Sequence, residues 1–325
     1  ILAKAQNALV GAFINEGQSE IKSWQDVLNE VHDHFLKVQE GKGAIKFHTS
    51  LRGLNDLLGG FELGELSIIA GRPSMGKSAL AVNIAVDFCK QGLHTAVFTL
   101  EQSSLQMAHR ILAAQGNIPL NLFKSKMDPT YEDKFNSVLT NTAGLPLSVI
   151  DIRRPTVDRV KMLAQVCKAQ NPDLKFIVID YFQEISLELG RFNEATAIRN
   201  ALSELRALAS ILDVHLILVS QLNREVDKRD NKRPIKSDLR GSGGFEEVAD
   251  KIIFLYRNGY YQPGFMGNDA GDNITELINA KNRQGGNDGH MTLAMFDRDY
   301  MRFSDLTGDP KYHYLEWLKK VEKEG

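Results

Sequence analysis

Leu66-Ser67-Ile68-Ile69-Ala70-Gly71-Arg72-Pro73-Ser74-Met75-Gly76-Lys77-Ser78-Ala79-Leu80 is the stretch that decides the fold. Its first five residues form a near-continuous apolar run of strand length, and from Lys77 onward the pattern turns helical. Between them Gly71 to Ser78 fits G-x-x-x-x-G-K-[S/T], the phosphate loop, in the strand–loop–helix context that this pattern requires. Its glycines let backbone N–H groups close around phosphate oxygens at the positive end of a helix. Lys77 is expected to neutralise the β and γ phosphates of a nucleotide and Ser78 to ligate Mg²⁺. Gly71, Ser74, Met75, Gly76 and Ala79 complete the expected cradle. The competing reading, a glycine turn with a solvated lysine, leaves the flanking strand and helix unexplained.

Outward from this loop, short β-branched runs alternate with helical patterns, the signature of a mostly parallel sheet with crossover helices. Strands are expected at Leu66 to Ala70, Thr95 to Leu100, Leu147 to Asp151, Phe176 to Asp180, His215 to Ser220 and Lys251 to Tyr256. Their near-continuous apolar character suits strands buried on both faces. One intervening helix is especially clear, with Ile198, Ala201, Leu202, Leu205, Leu208, Ala209 and Leu212 on one face. Beyond residue 270, Ile274 to Ala280, Met291 to Phe296 and Met301 to Phe303 are separated only by turns rich in Gly, Asn and Asp. These predict antiparallel strands appended to the parallel sheet. The expected division is an N-terminal helical segment over 1–43, a nucleotide-binding domain over 44–306 and a tail over 307–325. The first segment carries Trp24, Val27, Leu28, Val31, Phe35 and Val38 at helical spacing behind Ser23, a candidate cap, and ends in a Gly41-Lys42-Gly43 tether. That apolar stripe either folds back on its own domain or docks on a neighbouring subunit.

The chain has 325 residues, 43% hydrophobic and 25% charged, enough to bury a sizeable core. Its 39 Lys and Arg against 41 Asp and Glu leave a net charge of −2, so a basic nucleic-acid coat is excluded and any polyanion must be held by a local patch. Cys89 and Cys167 are too few for a disulfide framework or a four-cysteine zinc site, and a reducing, cytoplasmic setting is the expectation. The eight histidines show no ligand spacing. No 18-residue apolar run or signal peptide is evident. A chain starting at Ile1 rather than Met is expected to be a fragment or a processed product.

Nucleotide sites on such sheets lie outside the carboxyl ends of the strands, which makes strand-end polar residues candidates. Asp180 closes Phe176-Ile177-Val178-Ile179 where a Walker B aspartate would hold Mg²⁺. Glu101 follows the strand ending at Leu100, either as a general base for the attacking water or as a solvated first-turn residue. Gln221 follows Val219-Ser220, with an amide able to sense the γ-phosphate. After it, between Leu222 and Gly244, Arg224, Lys228, Arg229, Lys232, Arg233, Lys236 and Arg240 outnumber Glu225, Asp227, Asp230 and Asp238. Gly241-Ser242-Gly243-Gly244 then opens a helical pattern over Phe245 to Asp250, whose free N–H groups could receive a DNA phosphate. The loop lacks aromatic residues, which argues for backbone contacts without base stacking. A solvated charged loop is the other reading.

Gly71 to Ser78, Phe98-Thr99-Leu100-Glu101, Ile179-Asp180-Tyr181, Ser220-Gln221-Leu222-Asn223-Arg224 and Ser237-Asp238-Leu239-Arg240-Gly241-Ser242-Gly243, in that order, resemble the DnaB-type replicative helicases of bacteria and their phages. The resemblance spans Ser23 to Leu306. It implies an α/β, RecA-like P-loop NTPase core, use of ATP and Mg²⁺, a homohexameric ring and 5′ to 3′ translocation on single-stranded DNA, with primase and a helicase loader as further partners. By the same resemblance Lys77 and Ser78 hold nucleotide and metal. Glu101 is the general base, Asp180 the Walker B aspartate and Gln221 the γ-phosphate sensor. Lys281 and Arg283, in Lys281-Asn282-Arg283-Gln284-Gly285, match the pair that reaches a neighbouring subunit's γ-phosphate, and the linker helix is the other subunit contact. Arg224, Arg240, Gly241, Ser242 and Gly243 fall in the DNA loop. Gly241 stands where relatives commonly carry an acidic residue. A recombinase-like filament and a non-motor ATP switch are the alternatives.

Overall fold

The computed structural model describes residues 23–39, 46–187, 193–239, 241–264, 269–285 and 288–324. The chain divides into two units, Ile1–Lys46 and Phe47–Gly325. In the first, helix α1 (Trp24–Gln39) is closed by a reciprocal cap. The Asp26 amide donates to Ser23 Oγ at 3.1 Å, and the Ser23 amide and hydroxyl donate to Asp26 Oδ2 at 3.2 and 2.6 Å. Trp24, Leu28, Val31 and Phe35 are exposed along it. The tether at Gly41-Lys42-Gly43 lies outside the described residues.

The second unit is built on one nine-stranded sheet, β1 (Leu66–Gly71), β2 (His94–Thr99), β3 (Leu147–Asp151), β4 (Leu174–Asp180), β5 (His215–Gln221), β6 (Lys251–Tyr256), β7 (Ile274–Asn282), β8 (Met291–Asp297) and β9 (Arg302–Asp305), in the order β3-β2-β4-β5-β1-β6-β7-β8-β9. The six strands from β1 to β6 pair in parallel, and β7, β8 and β9 continue antiparallel from β6. Helices α2 (Arg52–Leu58), α3 (Lys77–Lys90), α4 (Ser104–Gly116), α5 (Pro129–Thr142), α6 (Val157–Gln170), α7 (Glu194–Ile211), α8 (Ser242–Val248) and α9 (Asp309–Glu324) complete the described long elements.

Alternation along β1 explains the two layers. Leu66, Ile68 and Ala70 face a core shared with α6, α7 and α8 through Val160, Leu202, Leu205 and Phe245. Ile69 faces the opposite core, where α2, α3 and α4 supply Leu54, Leu80, Ile84, Phe88 and Met107. Because both faces are covered, all six residues of β1 and of β6 are buried, as their near-continuous apolar runs require. The two cysteines are buried on α3 and α6.

One expectation changes. The helix after the glycines runs Ser242–Val248 and stops short of Asp250, whose carboxylate instead accepts the Leu66 amide at 2.9 Å and an Arg206 N–H at 3.0 Å. Within residues 307–325, α9 seats Tyr314 and Leu318 against Ile274 of β7, Leu293 of β8 and Leu306 just past β9. Its fixing contact is polar: Tyr314 donates to the fully buried Glu276 at 2.6 Å, and Arg233 donates to the same oxygen at 2.8 Å. No described helix is long and apolar enough to cross a membrane.

Candidate nucleotide site

Strand β1 ends against β5 on one side and β6 on the other, pairing Gly71 with Gln221 and with Leu255. The loop leaving it passes through the left-handed region twice, at Ser74 with φ 65° and at Gly76 with φ 96°. A Cβ at Gly76 would lie 2.9 Å from ring atoms of Phe296 and Phe303, so glycine is needed there for both conformation and space. Arg257, at the end of β6 and 1% exposed, donates to the Ser74 carbonyl at 3.1 Å and fastens the loop from outside.

The result is a cleft of 540 Å³ at the carboxyl ends of the strands. Ser74, Gly76, Lys77, Ser78 and Ala79 line it with Glu101, Asp180 and Gln221, so the strand-end residues singled out from sequence meet the phosphate loop in one place. Gly71 and Met75 do not line it; the Met75 side chain turns into the core, and Gly71 belongs to the strand. Ser78 Oγ donates to Asp180 Oδ1 at 2.9 Å, and Lys77 Nζ donates to the Arg72 carbonyl at 2.8 Å. Burial pulls the Lys77 ammonium down to about 8, assisted by Arg72 and opposed by Asp180 and Glu101. Burial raises the Asp180 carboxyl, against the Ser78 hydrogen bond and the charges of Arg110 and Lys77. Both groups are therefore costly to keep charged without a ligand of opposite sign.

Several residues in or beside the cleft escaped the sequence reading. Arg110, on α4, reaches the cleft near Asp180 and Glu101 and makes no hydrogen bond or ion pair among the described residues. Burial lowers its pKa. Gln183 grips the end of β5: its amide donates to Ser220 Oγ at 3.0 Å and to the Gln221 carbonyl at 3.2 Å, and its oxygen accepts the Gln221 amide at 3.1 Å. Phe296, Arg298 and Met301, from the β8–β9 hairpin, form the far wall. Gln183, three residues past Asp180, acts on the end of β5 without lining the cleft.

The remaining expected residues lie outside this cleft. Lys281 donates to the Ala249 carbonyl at 2.6 Å and to the Glu246 carbonyl. Arg283 donates to Asp250 Oδ1 at 3.3 Å and to the Glu247 carbonyl, so both cations sit on the C-terminal end of α8. The basic loop after β5 is largely neutralised by its own fold. Arg229 pairs with Asp238 at 2.7 Å, Arg233 with Glu276 at 2.8 Å, Lys228 with Glu225 at 2.7 Å and Lys236 with Glu246 at 3.2 Å. Arg224 is exposed and unpaired among the described residues; Arg240 lies outside them, and the Ser242 side chain is not described. Two of the glycines have a packing reason: a Cβ at Gly241 would lie 2.8 Å from Ile198 Cδ1, and one at Gly244 3.0 Å from the Arg199 Cα, whereas Gly243 faces open space.

These residues suit a nucleotide with a divalent cation. The cleft offers one buried carboxylate hydrogen-bonded to one hydroxyl, and no described cluster of three or more His, Cys, Asp or Glu forms a metal cage. That matches Mg²⁺, which takes one or two protein ligands and completes its shell with waters and phosphates.

Residues 47–305 match the family described as DnaB-like helicase C terminal domain. The chain is 33% identical over 310 residues to the replicative DNA helicase DnaB of Geobacillus stearothermophilus, covering 94% of this chain and 67% of that protein. It is 32% identical over 311 residues to the replicative DNA helicase DnaC of Bacillus subtilis strain 168, with the same coverage of 94% and 67%. The chain thus spans about two thirds of the length of these relatives. Among solved structures, one ATPase domain superposes with a TM-score of 0.79 at 26% identity, over 88% of this chain and 100% of that one. A DnaB-like replicative helicase, described with its interactions with primase, gives 0.77 at 26% identity over 88% and 68%. With its phosphate loop, strand-end acids and appended antiparallel strands in the same frame, the chain belongs to the DnaB-like replicative DNA helicases, a family of nucleotide-hydrolysing enzymes.

Proposed function

We propose that the chain is the motor portion of a hexameric ring that hydrolyses ATP with Mg²⁺ and moves 5′ to 3′ along single-stranded DNA in the cytoplasm. The observation that carries this reading is the convergence of Lys77, Ser78, Glu101, Asp180 and Gln221 on one cleft, at the end of the strand that continues into the basic loop. Lys77 and Arg110 hold the β and γ phosphates, replacing the carbonyl contact that Lys77 makes without them. Glu101 accepts the proton of the attacking water. Ser78 and Asp180 would hold Mg²⁺, which supplies charge neutralisation on the phosphates. Gln221 senses the γ-phosphate, and its strand passes the change to the loop after it.

Arg224, with Gly241, Ser242 and Gly243 at the start of α8, takes DNA phosphates without reading bases, and Arg240 joins them in the same loop. Lys281 and Arg283 leave the end of α8 to reach a neighbour's γ-phosphate, and the exposed stripe of α1 supplies a second contact between subunits. A helicase of this kind has been described with primase, and we assign a primase and a loader as partners here. No observation favours a filament or a DNA-independent switch.

The test is ATP hydrolysis with and without single-stranded DNA, in the wild-type chain and Lys77→Ala, at two salt concentrations. DNA-stimulated hydrolysis that disappears in the variant and weakens with salt is expected. Hydrolysis indifferent to DNA would overturn the motor reading.

A further inference from the structure

The phosphate-loop pattern leaves the positions between its glycines open, so an arginine directly after Gly71 is not required for binding phosphate. The Arg72 side chain turns away from the cleft, and 10% of it is exposed. Its Nε and one terminal nitrogen donate to Asp227 Oδ2 at 3.0 and 2.6 Å, and its other terminal nitrogen donates to the Leu222 carbonyl at 2.8 Å. Tyr261 occupies the remaining Asp227 oxygen at 2.9 Å. Every nitrogen of the guanidinium fork therefore faces the loop that follows β5, and both oxygens of its partner are taken. Such charge-assisted contacts are the strong and directional ones.

The other end of the same residue touches the nucleotide machinery. The Arg72 carbonyl holds Lys77 Nζ at 2.8 Å, and the Leu222 amide donates to the Gly71 carbonyl at 3.3 Å. One residue thus joins the phosphate-binding lysine, through its backbone, to the first turn of the loop, through its side chain. Phosphate arriving at Lys77 competes for the ammonium that Arg72 now accepts, which changes the constraint on Arg72 itself. We propose that Arg72 and Asp227 are positioning residues that latch the loop after β5 to the phosphate loop, so that occupancy of the cleft sets the conformation of residues 222–239. Its consequence for DNA rests on the function proposed above; the response to nucleotide stands on the contacts alone.

Amide hydrogen exchange over 222–239 tests this, with and without a non-hydrolysable ATP analogue and Mg²⁺, in the wild-type chain, Asp227→Asn and Asp227→Glu. In the wild type the analogue is expected to change exchange in this segment severalfold. Asp227→Asn should bind the analogue within twofold of wild type yet lose that response, and Asp227→Glu should regain it. A response of wild-type size in Asp227→Asn would overturn the latch. Should Asp227→Asn melt many degrees lower, Tyr261→Phe gives the same readout with one hydrogen bond removed: a reduced response supports the latch and a full one overturns it. DNA stimulation of hydrolysis, measured on the same proteins, separates the two readings. A wild-type segment that answers nucleotide while hydrolysis ignores DNA would overturn the motor and leave the latch standing.

Discussion

Glu101 and Arg110 line the same cleft, and under the proposed function their substitutions have separable effects. Glu101→Gln keeps the size and hydrogen-bonding capacity of the side chain but removes its ability to take a proton. Hydrolysis is expected to fall by about 10² to 10⁴ with nucleotide affinity nearly unchanged, read by single-turnover rates and by titration with a fluorescent ATP analogue. Arg110 brings an unpaired guanidinium whose pKa burial already lowers, so a bound phosphate relieves an existing strain on its charge. Arg110→Ala is therefore expected to weaken both binding and hydrolysis, raising KM as well as lowering kcat. Sequence pattern exposed Glu101 because it follows directly on an apolar strand run. Arg110 sits nine residues later inside a helix, where only packing brings it round to Asp180.

Two elements show how local chemistry and packing divide the control of structure. At the start of α8, Gly241 has φ 74° and a Cβ there would run into Ile198, so Gly241→Ala is expected to cost about 1–3 kcal/mol in urea denaturation. Gly243 has room, and Gly243→Ala is expected to leave stability unchanged or raised by about 0.5–1 kcal/mol; lower DNA affinity in that variant would assign the glycine to DNA. In β5 the ring of His215 is fully buried between the Glu62 carbonyl at 2.6 Å and the Ser67 hydroxyl at 2.9 Å. A carbonyl can only accept, so Nδ1 carries the proton and Nε2 accepts from Ser67. Burial holds the imidazolium pKa down to about 3, with nearby Lys251 adding to the effect. A depressed histidine favours folding above its unfolded pKa and withdraws that contribution as pH falls. Between pH 7 and pH 5 this one group is expected to remove about 2 kcal/mol of stability, and His215→Gln should flatten that part of the pH dependence in urea melts.

At the scale of the whole molecule, Lys281 pairs with Ile252 at the start of β6, away from the carboxyl ends where the cleft lies, and with Arg283 it holds the end of α8. If they serve a neighbour, an active site needs Lys77 from one subunit and Arg283 from the next. Lys77→Ala and Arg283→Ala are each expected to be severely impaired, the latter by about 10³ or more. An equal mixture should hydrolyse ATP faster than either alone, because some interfaces then join an intact Lys77 to an intact Arg283; a mixture no faster than its components would refute the arrangement. The Tyr314–Glu276–Arg233 contact binds α9, the antiparallel strands and the basic loop together. Tyr314→Phe leaves a buried carboxylate short of a donor and is expected to lower stability by about 1–3 kcal/mol, measured by denaturant melts.

The amino-acid order by itself determined the phosphate loop, the alternation of apolar runs and helices, and the strand-end positions of Glu101, Asp180 and Gln221. Those features depend on neighbours in sequence: a loop between a strand and a helix, and a strand buried on both faces, leave a local pattern. Tertiary structure alone decided that Arg72 meets Asp227 across 155 residues, that Arg257 supports the phosphate loop, and that the β8–β9 hairpin walls the cleft. It also turned a positive charge count after Gln221 into a set of internal ion pairs, and packed α9 against the antiparallel strands. The physical reason is the strand order. Placing β1 between β5 and β6 brings together side chains far apart in the chain, and periodicity carries no record of which strands become neighbours.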